Sequence, residues 1–321
     1  MIGRVALTGA TGFIGRHVSA QLVSRGIDVM AVVRPESTHT APAGVTVVRA
    51  ALAAAALREA FKGAASVVHL AGAVNALDSA IYTAVNVEGT RAVAEAALAV
   101  GARLIHVSSL AAVGPASAAT PRAEDDPPNP LTPYGRSKLA GEEIVTRTMG
   151  LAWTILRPAA VYGPGDRAML PLFRLANRGI LPLVGRPDAA YTFVHVSDVV
   201  RAIDAAIDAH ATGDICFVGH PRPVTAREIL EAIRMAVGRP AQLIRVPNAL
   251  TLVTAAACEV AGRLSGRPLP LNRCRYRELS AEGFVCRVNR LRERLGIVAS
   301  IDLTAGTRET AQWYRREGWL K

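Results

Sequence analysis

Short β-rich apolar runs alternate with longer helical patterns through the first two thirds of the chain, and this alternation constrains the fold more than any other feature. Strands separated by a crossover helix run parallel, and helices then cover both faces of the sheet, so the strands read as nearly unbroken apolar runs. Strands are expected at Arg4 to Leu7, Asp28 to Val33, Val45 to Arg49, Ser66 to Leu70, Arg103 to Ser108 and Trp153 to Leu156. The clearest helices are Gly15 to Arg25, Ala80 to Val100 and Tyr134 to Met149, where apolar residues recur at three and four. The fold class is α/β, a doubly wound parallel sheet. Between Pro115 and Pro133 the sequence turns to Pro, Ala and acidic residues (Glu124, Asp125, Asp126), which predicts a surface loop. Beyond Arg157 the alternation becomes irregular, with helical stretches near Thr225 to Val237 and Leu250 to Arg263. The expected division is residues 1–158 for the main sheet and 159–321 for a segment that returns to it and builds a smaller lobe, mainly from 159–192 and 220–285.

Composition removes several functional classes. Half of the 321 residues are hydrophobic and 20% are charged, enough to build a core and too apolar for a solvated chain. The net charge is +11, but the arginines are scattered and aromatics make up 5%, so a nucleic-acid partner lacks both a basic stripe and a stacking platform. Cys216, Cys258, Cys274 and Cys286 lie far apart, and the seven histidines show no ligand spacing, so neither a metal site nor a disulfide framework is expected. A strand so near Met1 leaves no room for a secretory signal, and the expected location is the cytoplasm. The most apolar window, Ala249 to Cys258, is too short to span a bilayer and is closed by Glu259. It reads as helix core or as a greasy rim of the lobe; a helix resting on a membrane surface, helped by Arg263 and Arg267, is the lesser reading.

The strongest local motif is Thr8-Gly9-Ala10-Thr11-Gly12-Phe13-Ile14-Gly15, which follows the first strand and opens the first helix. Gly9, Gly12 and Gly15 permit a tight turn and let backbone N–H groups, with Thr11, Phe13 and Ile14, approach a pyrophosphate at the helix N-terminus. The second strand ends Val32-Val33-Arg34-Pro35, where such a fold faces the adenosine ribose. An acid there would bond a free 2′-hydroxyl, whereas Arg34 offers a cation to a 2′-phosphate, so the expected cofactor is NADP(H), with NAD(H) the alternative.

Tyr134-Gly135-Arg136-Ser137-Lys138 puts a phenol and an ammonium four apart on one helix face. A phenol with its usual pKa near ~10 is a poor acid–base catalyst at neutral pH unless positive charge stabilises the phenolate, and Lys138 could supply it. The fifth strand ends in Ser108-Ser109 at the carboxyl edge, where ligands sit in open α/β sheets. Ser108 is expected to cap the strand end and Ser109 to meet a substrate carbonyl.

Together with Asn86-Val87-Glu88-Gly89-Thr90, Arg157-Pro158-Ala159-Ala160-Val161-Tyr162-Gly163-Pro164-Gly165 and Phe193-Val194-His195-Val196-Ser197-Asp198-Val199, these motifs resemble the extended short-chain dehydrogenase/reductases over nearly the whole chain. The resemblance implies a Rossmann domain with a C-terminal substrate lobe, and a homodimer built through the helices near 80–100 and 134–149. It implies that Tyr134 exchanges a proton with the substrate oxygen, Lys138 binds the nicotinamide ribose and lowers the Tyr134 pKa, and Ser109 orients the carbonyl. Pro158 to Val161 would line the nicotinamide, and Leu52 with Leu70, Ala71 and Gly72 would complete the cofactor cleft.

Two departures bear on the substrate. Members of this family usually carry Gly-Asp-Leu after the third strand, where this chain has Ala50-Ala51-Leu52, so one adenine hydrogen bond is missing. Those acting on nucleotide sugars commonly have Arg-Asp before the Phe-Val-His run, where this chain has Tyr191-Thr192. Leu110-Ala111 replaces the acidic pair a dehydratase would show. The tail from Gly283 through Trp313 to Leu320 is similar to 3β-hydroxysteroid dehydrogenases, dihydroflavonol reductases and hopanoid-associated epimerase-like proteins. The expected activity is an NADP(H)-dependent ketoreductase or alcohol dehydrogenase for an apolar small molecule. The alternatives are an NAD-dependent nucleotide-sugar epimerase and a non-catalytic NADP(H)-binding sensor.

Overall fold

The computed structural model describes residues 3–209 and 212–321. The first half alternates strand and helix: β1 (Arg4–Thr8), α1 (Phe13–Ser24), β2 (Val29–Val33), β3 (Thr46–Arg49), α2 (Ala54–Ala60), β4 (Ala64–His69), α3 (Ser79–Tyr82), α4 (Gly89–Ala99), β5 (Arg103–Val107), α5 (Pro133–Arg147) and β6 (Trp153–Pro158). The second half mixes shorter pieces, beginning with β7 (Ala160–Tyr162), α6 (Leu170–Asn177), β8 (Ile180–Leu183), β9 (Ala190–Tyr191), β10 (Phe193–His195), α7 (Val196–Asp208) and β11 (Asp214–Val218). It continues with β12 (Val224–Thr225), α8 (Ala226–Val237), β13 (Gln242–Arg245), α9 (Asn248–Ser265), α10 (Arg273–Ser280), β14 (Gly283–Phe284), α11 (Asn289–Leu295) and α12 (Leu303–Arg316).

Seven of these strands form one sheet in the order β11-β6-β5-β4-β1-β2-β3, with every neighbouring pair parallel. Successive strand residues face opposite sides, so β1 sends Val5 and Leu7 to one face and Ala6 to the other. The first face is closed by Val18 and Leu22 of α1 and by Val199 and Ile203 of α7. The second is closed by Leu57 of α2, Val93 and Ala97 of α4, and Val145 of α5. The strand order reverses between β1 and β4, and that switch point opens a crevice beyond the carboxyl ends of the strands. The lobe has its own apolar centre, in which Phe173 of α6, Ile233 of α8 and Tyr314 of α12 meet.

Three expectations need correction. The helix foreseen over Ala80 to Val100 is α3 and α4 joined by a π-helical segment, Thr83–Glu88. The loop between Pro115 and Pro133 is not simply superficial. Its Glu124 is buried, accepting from the Phe217 N–H at 3.1 Å, while the Glu124 carbonyl accepts from Arg157 at 3.1 Å. Arg157 in turn makes a buried two-pronged pair with Glu142, at 2.7 Å for the shortest contact. Lastly, the apolar window of α9 is not core: Thr251, Ala255 and Gly262 are the residues of that helix that are buried.

Candidate active site

The glycine turn connects β1 to α1 at the switch point. Gly9 has a φ of +75°, and a Cβ there would stand 2.6 Å from the Ala71 nitrogen, so the turn requires glycine both for its left-handed backbone and for its approach to the end of β4. A Cβ at Gly15 would collide with the Gly9 carbonyl. Gly12 is the N-cap of α1 and provides no side-chain acceptor, and the first turn, containing Phe13, Ile14 and Gly15, holds no acid. A helix N-terminus of this kind favours an anion. Thr11 holds Arg16 through its carbonyl at 3.1 Å. Leu70, Ala71 and Gly72 follow β4 on the other side of the crevice, where the Leu70 N–H reaches the Thr8 carbonyl at 3.1 Å. Pro158 ends β6 and Val161 lies in β7, packed against the apolar face beneath.

Arg34 stands just past β2, largely exposed, with Glu36 3.7 Å away. Arg16 reaches toward the same loop, donating to the Thr40 carbonyl at 3.1 Å, so two guanidiniums border it. Leu52 packs toward Gly89, and a buried Ala50 precedes it, so no carboxylate stands at the end of β3.

Ser109, Tyr134 and Lys138 come together at the carboxyl edge of β5. Gly135 makes this possible: a Cβ there would strike the Ala111 carbonyl, so only glycine lets α5 settle on the turn at Leu110–Ala112 and bring Tyr134 to Ser109. The Tyr134 and Ser109 hydroxyls face each other. The lowering of the Tyr134 phenol expected from Lys138 is not found: burial pushes it up to about 12, the Ser109 hydroxyl opposes the shift, and the Glu278 carboxylate and Tyr82 reinforce it. Lys138 is buried and donates to the Val107 carbonyl at 2.8 Å. Burial lowers its ammonium to about 8, against the pull of Glu142. The expected division between the serines is reversed at one point: Ser109, not Ser108, caps the turn, accepting from the Ala111 N–H at 3.2 Å. The buried Ser108 hydroxyl has no hydrogen-bond partner among the described residues.

Several residues around this trio were not foreseen as site residues. Asn86, in the π segment, accepts from the Ala73 N–H at 2.8 Å and donates to the Ala73 carbonyl and to the Ser137 hydroxyl, each at 2.9 Å. Ser137 then donates to the Tyr134 carbonyl at 2.7 Å, so Asn86 ties the loop after β4 to α5. Below the sheet edge, His69 is hydrogen-bonded to Thr8 at 2.7 Å and to Thr90 at 3.1 Å. Burial, then the Lys138 charge, lowers its imidazole to about 3, so it stays neutral. Tyr82 lies with its ring centroid 6.1 Å from that of Tyr134. Glu278 of α10 accepts from the Thr132 hydroxyl at 3.4 Å. The motif around Asn86 signalled its place; Tyr82 and Glu278 sit in no motif, and only the fold brings them to Tyr134.

The NAD dependent epimerase/dehydratase family matches residues 5–219. The chain belongs to this family. The ceramide reductase of Caulobacter vibrioides is 34% identical over 323 residues, covering 99% of this chain and 96% of that protein. The 2-alkyl-3-oxoalkanoate reductase of Stenotrophomonas maltophilia is 30% identical over 333 residues, covering 95% and 97%. Among solved structures, MoeE5 in complex with UDP-glucuronic acid and NAD aligns with a TM-score of 0.78 at 26% identity, over 98% of this chain and 100% of the other. The protein is thus an NAD(P)-dependent oxidoreductase of the extended short-chain dehydrogenase/reductase type, and the Rossmann sheet and family expected from its motifs hold. The glycine turn fits a dinucleotide, since its walls exclude a Cβ and the α1 N-terminus is left to an anion.

Proposed function

We propose that the protein uses NADP(H) to interconvert a ketone and a secondary alcohol on an apolar small molecule. The observation that carries this reading is the meeting of the Ser109 and Tyr134 hydroxyls beyond the carboxyl edge of β5, with Lys138 one turn along α5 from Tyr134. When bound, the nicotinamide dinucleotide supplies or accepts the hydride. The turn from Gly9 to Gly15 holds the pyrophosphate, Leu52, Leu70, Ala71, Gly72, Pro158 and Val161 line the cleft, and Lys138 holds the ribose. Arg34, seconded by Arg16, meets the 2′-phosphate. In the reductive direction the Ser109 hydroxyl orients the carbonyl oxygen, and the Tyr134 hydroxyl gives that oxygen a proton as the carbon takes up hydride. The product is the alcohol, and the phenolate left behind is reprotonated from solvent. Held at about 12 by burial, the phenol is protonated at neutral pH but releases its proton less readily than a free phenol.

Two features favour an apolar substrate. The nearby relatives are named for reducing ceramide and 2-alkyl-3-oxoalkanoates. Where a nucleotide sugar would want a cation, this chain has Tyr191, half-buried against the apolar centre of the lobe. The likeness to MoeE5 favours an NAD-dependent nucleotide-sugar epimerase as the second reading. The deciding experiment follows NADPH consumption with long-chain β-keto esters, oxidised sphingoid amides and steroid ketones, beside UDP-sugars with NAD. Consumption with a lipid ketone supports the proposal; epimerisation of a UDP-sugar with no ketone turned over refutes it. A homodimer through the α4 and α5 faces belongs to the same reading and is tested by sedimentation velocity.

A further inference from the structure

Helix α9 is built inside out. At about 100° per residue, its buried residues Thr251, Ala255 and Gly262 fall on one narrow stripe, and all are small or polar. The opposite stripe carries Leu250, Val253, Val260 and Leu264, exposed by 57%, 66%, 56% and 85%. A helix bordered by water on that side would show charges there. The charged residues of α9, Glu259 and Arg263, sit instead on its flank and pair with each other at 2.8 Å. Leu77, before α3, packs against the buried stripe of α9 at Gly262.

We propose that this face of α9 docks on the surface of an anionic lipid bilayer. Charge selects the occupant. Between Arg245 and Glu278 the chain carries six arginines, all exposed, against two glutamates, with no lysine or aspartate. Glu259 pairs with Arg263 and Arg273 and Glu278 with Arg275, and the positive charge this stretch keeps in excess suits anionic headgroups above an acyl boundary. A second copy of the chain fits less well, because a two-fold contact would press this basic stretch against its own like charge. No helix of the described residues is long and apolar enough to cross a membrane, so α9 lies along the interface. Helix α10 follows α9 and carries Glu278 to Tyr134, so docking sets the mouth of the active site at the lipid surface, a consequence that rests on the proposed lipid ketone.

The test is sedimentation of the full chain with vesicles of equal parts phosphatidylglycerol and phosphatidylcholine, and with phosphatidylcholine alone. The wild type is expected to pellet with the anionic vesicles, to do so less at high salt, and to bind phosphatidylcholine poorly. The variant Val253→Glu, Val260→Glu, Leu264→Glu is expected to bind roughly tenfold more weakly or worse, with its melting temperature and NADPH binding unchanged. A second variant, Arg263→Glu with Arg267→Glu, should lose the preference for the anionic vesicles. The proposal is overturned by a wild type that stays in the supernatant with both vesicles, or by a triple variant that pellets like the wild type. A dimer that the triple variant splits, with no vesicle binding, would show instead that a second copy covers the face. The assay reads docking without substrate or turnover, so it can fail while the ketone reading stands, and the reverse.

Discussion

Replacing Lys138 with methionine should make the protein more stable while removing its activity. Lys138 is 5% exposed, and burial lowers its ammonium from 10.5 to about 8. At about 1.4 kcal/mol per unit, the charged side chain costs the fold about 3 kcal/mol at neutral pH. Methionine fills a similar volume without a charge but gives up the bond to the Val107 carbonyl, a loss of about 1–2 kcal/mol. The net gain is about 1–2 kcal/mol, which for a chain of this length raises Tm by roughly 2–3 °C. The pH dependence separates this cause from better packing. Below about pH 8 the lysine is charged in both folded and unfolded chains, and the penalty is complete. Between about 8 and 10.5 the folded chain releases the proton first, so the wild type gains stability on the variant, and above 10.5 this source of difference is gone. Thermal melts of both proteins across that range measure the gap directly. A variant less stable than the wild type at neutral pH, or a gap that stays constant as pH rises, would refute the reasoning.

Other substitutions test separate parts of the account. Arg34→Glu should lower the preference for NADP over NAD roughly ten- to a hundredfold, measured as the ratio of the two dissociation constants, because it replaces a cation by an acid at the proposed 2′-phosphate contact. Arg157→Met should cost about 3–5 kcal/mol in denaturant unfolding, since it leaves the Glu142 carboxylate buried without its partner, and adding Glu142→Met should recover much of that loss. Asn86→Ala frees the loop after β4 from α5, and steady-state kinetics should show kcat falling by more than KM rises; an unchanged kcat would remove its positioning role.

The parallel sheet was legible because each strand is an apolar run bounded by turn residues, and β1, β2 and β5 end within a residue of where those runs stop. The glycines at 9, 12 and 15 and the pair Tyr134 and Lys138 were legible because backbone approach and helical spacing are local properties. What escaped detection was non-local. A six-residue π segment is too short to shift an apolar period visibly, so the motif brought Asn86 to notice without showing that it points inward. Glu124 looked like one acid in an exposed run, and only the folded chain places it against Arg157 and Phe217. The apolar window of α9 has the composition of core, and sequence alone could not reveal that its neighbours meet the small residues and leave the large ones outside.

Turnover by Tyr134→Phe, set beside its affinity for NADPH, bears most directly on the claim that this phenol moves the proton. With the hydroxyl gone and the ring retained, turnover of any ketone the wild type reduces should fall about 10²–10⁴-fold, while NADPH binding followed by fluorescence stays within about twofold. A variant that binds NADPH normally and still reduces the ketone near the wild-type rate would mean that the proton comes from elsewhere.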